Sequence, residues 1–182
     1  MPSALLIVDV QRALTEGESA CHEAAPVIGR IDALARRARA AGATVVFIQH
    51  EGVAPFVHGS AGWELAPGLH VEPGDLHLRK TTPDAFQRTQ LQSLLDDRGV
   101  TDLVICGMQS EFCVDTTTRR AATLGYPVVL AADAHTTTDK THLPASAIIA
   151  HHNHTLTGMV SFGPRIRAVA AAELVFSDRS GA

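Results

Sequence analysis

The stretch "DLVICGMQSEFCVDTTTRR", residues 102–120, passes from one kind of secondary structure to another. Its first part is a continuous apolar run that ends at a glycine, which is typical of a strand buried on both faces. Its second part begins a pattern of residues three or four apart, which predicts a helix with an inner face made by Val114, Thr117, Ala121 and Leu124. A buried strand that leads directly into a helix is the repeating unit of an α/β protein.

The same alternation runs through the rest of the chain. Apolar runs predict further strands at 4–10, 44–50, 76–80, 126–133 and 159–162. Helical spacing predicts helices at 26–42, 86–99, 144–156 and 164–172. Strands that alternate with helices pair in parallel through right-handed crossovers. We therefore predict an α/β protein of one domain, residues 1–182, built as a three-layer α/β/α sandwich around a mainly parallel six-stranded sheet.

Composition narrows the class of function. The 182 residues are 46% hydrophobic and 19% charged, with a net charge of -4, which is typical of a globular protein. The chain has no basic run for binding nucleic acid and no apolar stretch of membrane-spanning length. The start, "MPSALLIVDV", lacks the basic lead of a signal peptide, and three cysteines without a CxxC spacing fit a reducing compartment. We expect a cytoplasmic protein that binds a small molecule, with no nucleic acid or membrane partner.

Three residues whose side chains could take part in catalysis stand at the ends of predicted strands. Ligands of open α/β sheets bind beyond the carboxyl ends of the strands. Asp9 follows the first strand, Lys80 ends the third, and Cys113 follows the fourth. Taken singly, each is more often structural: Asp9 as a cap or ion-pair partner, Lys80 as a solvated charge, and Cys113 as a small core residue. Taken together, they contain everything needed to activate a thiol.

A thiol with the usual pKa of about 8.5 needs activation before it can attack a carbonyl. The N-terminus of the helix predicted after Cys113 should lower the thiol pKa, Asp9 can accept the proton, and Lys80 can keep Asp9 ionised. Such a set suits acyl transfer through a thioester. A non-hydrolytic thiol redox or electrophile-sensing protein is the alternative, and it needs a resolving cysteine such as Cys106. A dinucleotide-binding oxidoreductase is not expected, because no GxGxxG follows the first strand.

The sequence also resembles a known family, the isochorismatase-like cysteine hydrolases, over nearly its whole length and in the same order. The matching stretches are "LLIVDVQ" (5–11), "GWELAPGL" (62–69), "LRKTTPDAFQRTQL" (78–91), "LVICGMQSEFCVDTTTRRAATLGYPVVLAADA" (103–134) and "AHHNHTL" (150–156). The turn before the cysteine departs from the family pattern, because Glu111 and Phe112 stand where Thr-Asp is usual. The departure bears on the choice of substrate rather than on the nucleophile.

The resemblance implies a catalytic triad of Asp9, Lys80 and Cys113. It also implies a non-proline cis peptide at Met108–Gln109 and an oxyanion hole made by the backbone N–H groups of Gln109 and Cys113. The implied activity is a cofactor-independent hydrolase for an amide or lactam C–N bond of a small molecule, with an isochorismatase-type vinyl-ether hydrolase as the alternative. Small size and the family both suggest a homo-oligomer, either a dimer or a tetramer.

Substrate-binding candidates come from the long irregular segment 51–75, from the end of the first strand, and from the matching stretches around Lys80 and Cys113. They are Gln11, Trp63, Phe86, Glu111 and Phe112. Aromatic residues commonly line small-ligand sites, although packing explains Trp63 and the two phenylalanines about as well. Gln11 has an alternative role in orienting Asp9.

No metal site is expected. Nicotinamidases of the family often carry Asp-x-His after the second strand, whereas here that region holds only isolated histidines, His50, His58 and His70. The run "HHNH", 151–154, has no acidic or cysteine partner beside it and is interpreted as capping or packing at a subunit interface. Three other residues are predicted to be structural or incidental: Cys106 in the core, Cys21 in a loop, and Asp133 in a capping or supporting position.

Overall fold

A parallel sheet of six strands forms the centre of the computed structural model, which describes residues 3–176. Its strands are β1 (Ser3–Val8), β2 (Thr44–His50), β3 (Leu76–Lys80), β4 (Asp102–Met108), β5 (Val128–Thr136) and β6 (Ile166–Val169). They lie in the order β3-β2-β1-β4-β5-β6, and every neighbouring pair is parallel. The predicted α/β fold is confirmed, and the outermost residues of the predicted domain, 1–2 and 177–182, lie outside the described range.

Helices cover both faces of the sheet. They are α1 (Arg12–Thr15), α2 (Ala24–Ala40), α3 (Leu91–Asp96), α4 (Asp115–Thr123) and α5 (Ala145–Thr157). Successive strand residues point to opposite faces, so Leu5 and Ile7 of β1 pack with α2 while Leu6 and Val8 pack with α3, α4 and α5. None of the helices within residues 3–176 is long and apolar enough to cross a membrane.

Three predicted elements differ from the structure: the strand at 159–162, the helix at 164–172 and the helix at 86–99. The last strand is not at 159–162, where Val160 is 75% exposed, but at Ile166–Val169, inside the predicted helix 164–172. This edge strand has only four residues, and Arg167 within it breaks the continuous apolar run that is typical of a buried parallel strand. The helix predicted over 86–99 begins only at Leu91, because Arg88 takes a left-handed backbone with φ 56° that a helix cannot contain.

The turn after β4 is the most unusual part of the backbone. Gly107 has φ 120°, and a Cβ there would stand 2.0 Å from the Val8 carbonyl oxygen, so no side chain fits. The Met108–Gln109 peptide is cis, as predicted. Residues Ser110–Val114 then form a wide π-helical turn, in which the N–H of Val114 donates to the Gln109 carbonyl at 3.2 Å, before α4 begins. The helix expected after the cysteine thus starts earlier, and Cys113 lies inside its first turn.

Candidate active site

Lys80 joins the three strand-end residues into one cluster. Its ammonium donates to Asp9 Oδ2 at 2.6 Å and to Cys113 Sγ at 3.2 Å. The Lys80 and Asp9 side chains are 0% and 2% exposed, whereas Cys113 remains partly exposed. A buried ammonium therefore lies between a carboxylate and a thiol that solvent can reach.

The sheet order explains how these residues meet. β2 separates β3 from β1, so the Lys80 side chain spans the width of one strand to reach Asp9. Asp9 has a left-handed backbone with φ 50°, and its N–H is held by the Ile48 carbonyl at 2.8 Å. Asp tolerates this conformation better than most residues do, and here it turns the chain out of β1 just where the carboxylate meets Lys80.

The surroundings of Cys113 raise its pKa instead of lowering it. Burial is the main cause and the negative charge of Asp9 adds to it, while Lys80 acts in the opposite direction, which leaves the thiol pKa at about 12. The expectation of a lowered pKa was therefore wrong, because the helix begins before Cys113 and the thiol is largely buried beside a carboxylate. A thiol with this raised pKa is protonated at neutral pH, so an attack through its sulfur would require a base.

Asp9 offers a place for that proton. Its Oδ1 is buried and has no hydrogen-bond partner within residues 3–176, while Oδ2 is held by Lys80. A buried carboxylate oxygen without a donor is costly, so it is a strong acceptor for any donor brought to it. The carboxylate thus has one oxygen fixed by an ammonium and one available.

The Gln11 side chain and the Trp63 carbonyl hold the backbone around the site in place. The buried Gln11 amide donates to the carbonyls of His50 and Trp63, at 3.0 and 2.8 Å, and accepts the His50 N–H at 2.8 Å. Gln49 also donates to the Trp63 carbonyl at 2.9 Å. These bonds use both heteroatoms of Gln11 to attach the segment 51–75 to the ends of β1 and β2. The substrate-contact role predicted for these two residues stays a prediction.

The other three substrate candidates lie in different surroundings. Phe86 is buried in the apolar core and stacks on Tyr126 at 6.2 Å between ring centres, a packing role. Phe112 is 48% exposed beside the cysteine, with the Lys140 ammonium 5.5 Å from its ring. Glu111 Oε1 binds Lys140 at 3.0 Å and accepts the Thr137 hydroxyl at 2.8 Å. Of these three, only Phe112 and Glu111 lie next to the nucleophile candidate.

Several neighbours of the site were not predicted from sequence. His50 pairs in register with Lys80 at the end of β2, and burial followed by the charge of Lys80 lowers its pKa, so the imidazole is neutral. Thr137 and Lys140 follow β5 and hold Glu111. The available signal was the polar run "HTTTDK", 135–140, which begins at the end of β5 and continues beyond it at the same carboxyl edge of the sheet.

The histidines do not gather into a cluster with other metal-ligating side chains. Within residues 3–176, no three His, Cys, Asp or Glu side chains come together in a way that could hold a metal ion. His58 packs against Trp63, and His70 Nδ1 lies 3.1 Å from Asp32. In the 151–154 run, His152 Nδ1 approaches the Ile148 carbonyl at 2.9 Å.

The three residues predicted to be structural are placed as follows. Cys106 is fully buried in the core, and Cys21 is buried rather than exposed. Asp133 accepts the N–H of Ala171 at 2.6 Å, at the start of a short 3₁₀ turn, and its capping or supporting role stays a prediction.

Comparison with known protein families gives a match over most of the chain. A family model for the isochorismatase domain matches residues 3–158. The chain belongs to the isochorismatase family. A solved isochorismatase family protein has the same fold, with a TM-score of 0.85 and 33% sequence identity over 92% of this chain and 98% of that one.

Two relatives within the family carry names of hydrolases. A streptothricin hydrolase of Streptomyces noursei is 49% identical over 140 residues, which cover 75% of this chain and 50% of the relative. A ureidoacrylate amidohydrolase of Variovorax paradoxus (strain S110) is 31% identical over 170 residues, which cover 72% of this chain and 68% of the relative. The chain spans about half the length of the streptothricin hydrolases that it matches.

Proposed function

We propose that the protein is a cofactor-independent cysteine hydrolase that cleaves an amide or lactam C–N bond of a small molecule. The observation that carries the proposal is the contact of one buried ammonium, Lys80 Nζ, with both Asp9 Oδ2 and Cys113 Sγ. The relatives support the bond type, because one of them is named an amidohydrolase.

In the first half of the proposed reaction, Asp9 takes the proton of the Cys113 thiol as sulfur attacks the carbonyl carbon. The S–C bond forms and the carbonyl oxygen becomes an oxyanion, which the N–H groups of Gln109 and Cys113 stabilise. Collapse of this intermediate breaks the C–N bond. The amine leaves with the proton that Asp9 returns, and an acyl thioester remains on Cys113.

In the second half, water attacks the thioester and gives a proton to the same carboxylate. The C–S bond breaks, the thiolate recovers that proton, and a carboxylic acid leaves. Lys80 keeps Asp9 ionised between the steps and faces the sulfur while it carries negative charge. Its burial at 0% exposure makes this electrostatic contribution larger than it would be in water.

The thiol redox alternative finds no support in the placement of the cysteines. Cys113 packs with the core on the α3, α4 and α5 side of the sheet, while Cys21 and Cys106 belong to the core on the α2 side. A disulfide needs Cα atoms within about 7 Å and Cβ atoms that face each other. Cys106, on the opposite face of the sheet from Cys113, does not offer that arrangement, so the resolving cysteine that the alternative requires is not in place.

The test is a screen of small amides and lactams, with streptothricin and ureidoacrylate as first probes, in the wild type and in Cys113→Ala. We expect Cys113→Ala to fold and to lose turnover by at least about 10³-fold. Acid quenching of the wild type during turnover should give a protein mass increased by the acyl group, absent from the variant. Retained hydrolysis in Cys113→Ala would exclude the proposal, and hydrolysis of vinyl ethers without an acylated Cys113 would favour the alternative activity.

A further inference from the structure

A buried chain of polar side chains connects α5 to the turn that carries Cys113. His135, near the end of β5, is 1% exposed, and its Nδ1 lies 2.8 Å from the hydroxyl of Ser110, which is 0% exposed. Its Nε2 lies 3.0 Å from Asn153 Oδ1 on α5. Ser110 is the first residue of the π-helical turn that contains Cys113. None of these three residues is used by the proposed chemistry.

An irregularity in the sheet brings His135 to this position. β5 pairs with β4 at Ile105↔Leu130 and then at Gly107↔His135, so β5 contains extra residues between these two pairs. Such a bulge re-aims side chains locally. Here it places His135 beside Gly107, which precedes the cis peptide Met108–Gln109. His135 thereby lies next to the start of the π-helical turn Ser110–Val114, which is called the nucleophile turn below.

The direction of each hydrogen bond follows from Asn153. Its other side-chain atom, Nδ2, donates to the Ala132 carbonyl at 2.9 Å, and because a carbonyl only accepts, the amide oxygen must face His135. His135 Nε2 must then carry a proton and donate it. Burial lowers the pKa of His135, so the ring is neutral and its Nδ1 is an acceptor. The Ser110 hydroxyl is therefore the donor in the bond to His135.

We propose that His135 is a positioning residue for the nucleophile turn, holding Ser110 through its Nδ1 while Asn153 fixes the tautomer that makes this possible. The chain runs Asn153 to His135 to Ser110, and no other tautomer satisfies all three contacts. The inference rests on the proposed function, since it assigns a purpose to the placement of Cys113. It also explains why one asparagine stands inside the run "HHNH".

The kinetic test compares Ser110→Ala with Ser110→Thr, and with Ser3→Ala as a matched control. Ser3 has a buried hydroxyl without a hydrogen-bond partner within the described residues, at the opposite end of the sheet. We expect Ser110→Ala to lower kcat by about 10- to 100-fold with KM within about threefold, because a nucleophile displaced by about 1 Å loses rate rather than binding. Ser110→Thr keeps the donor and should recover most of kcat, and Ser3→Ala should leave kcat unchanged.

A second pair of variants covers the case in which a substitution at Ser110 prevents folding. His135→Asn keeps an acceptor near the position of Nδ1, while His135→Leu removes it, so His135→Asn should retain the higher kcat among properly folded samples. Equal kcat in this pair, or a kcat for Ser110→Ala equal to that of the wild type, would overturn the proposal. If Cys113→Ala still turned over, the proposed function would fail separately.

A spectroscopic measurement tests the bond directions without any substrate. In protein labelled with ¹⁵N at histidine, the ring nitrogens of His135 should show the neutral form with the proton on Nε2 at neutral pH. The assignment comes from comparison with His135→Asn. A signal for the Nδ1–H tautomer or for the imidazolium would contradict the inference, whatever the enzyme does.

Discussion

Cys106 and Cys113 belong to the same strand-to-turn segment, yet their exposure and their polar neighbours differ. Cys106 is 0% exposed on the α2 face of the sheet, and burial alone raises its pKa. Its nearest polar contact is the Leu6 carbonyl, 3.6 Å from Sγ. Cys113 is partly exposed on the other face and contacts Lys80 beside Asp9. Both thiols are protonated at rest, so the pKa does not distinguish them.

The two cysteines differ because Cys113 has a base beside it and access to solvent, whereas Cys106 has neither. Apolar burial makes a thiol inert, because nothing nearby can take its proton and no substrate can reach it. Cys113 has an available carboxylate oxygen on Asp9 and access to solvent. Under the proposed function, the reactivity of Cys113 therefore depends on the strand ends that surround the thiol. Three measurements can break or sharpen this comparison.

The largest effect is expected from Asp9→Asn. The amide cannot accept the thiol proton, so turnover should fall by about 10⁴-fold, close to the upper limit for loss of a general base. The buried Lys80 ammonium also loses its counter-charge, which should lower the free energy of unfolding by about 3 kcal/mol. Steady-state kinetics and urea unfolding measure the two effects.

Asp102→Asn is the matched control for Asp9→Asn. Asp102 begins β4 at the opposite edge of the sheet, where it accepts the exposed Thr101 hydroxyl at 2.7 Å. Its substitution should change neither quantity appreciably. If Asp9→Asn kept most of the wild-type rate, Cys113 would not depend on Asp9, and the contrast between the two cysteines would rest on exposure and on the Lys80 contact.

The second test is a pH titration of the Cys113 thiol. Because the pKa is raised to about 12, less than about one part in 10⁴ of the thiol is ionised at neutral pH. The ultraviolet absorbance of the thiolate, taken as wild type minus Cys113→Ala, should show no step between about pH 6 and pH 10. A step near neutral pH would mean that Lys80 stabilises a preformed thiolate and that Asp9 is not needed as a base.

The smallest effect is expected from Cys106→Ala. Removing a fully buried sulfur from an apolar core should lower the free energy of unfolding by about 1–2 kcal/mol, while kcat of the folded protein stays unchanged. Cys113→Ala should show the reverse pattern, with stability within about 1 kcal/mol of the wild type and no turnover. A loss of kcat in Cys106→Ala would show that the core side of β4 also controls the site.

The sequence was sufficient to predict the features that depend on strand ends. Asp9, Lys80 and Cys113 were brought together because parallel strands end at one edge, and their contacts confirm that they meet. The family resemblance supplied the cis peptide, which no spacing rule contains.

The remaining features depend on side-chain contacts that no local pattern encodes. The raised pKa of Cys113 results from packing around the turn, and the contact of Ser110 with His135 requires a bulge in β5. The edge strand Ile166–Val169 was missed because it has only four residues and Arg167 interrupts its apolar pattern. Where strand pairing or burial determines the local structure, the neighbouring residues in the sequence predict it poorly.

Because Lys80 lies on an edge strand, the site depends on a part of the sheet that can unfold locally. Within residues 3–176, β3 pairs with β2 and with no other strand, so its separation breaks one strand pairing rather than two. Its departure would withdraw the ammonium from both Asp9 and Cys113 in one event. Local unfolding of this single strand would then abolish activity below the global melting temperature. Amide hydrogen exchange at residues 76–80 would accelerate over the same temperature range.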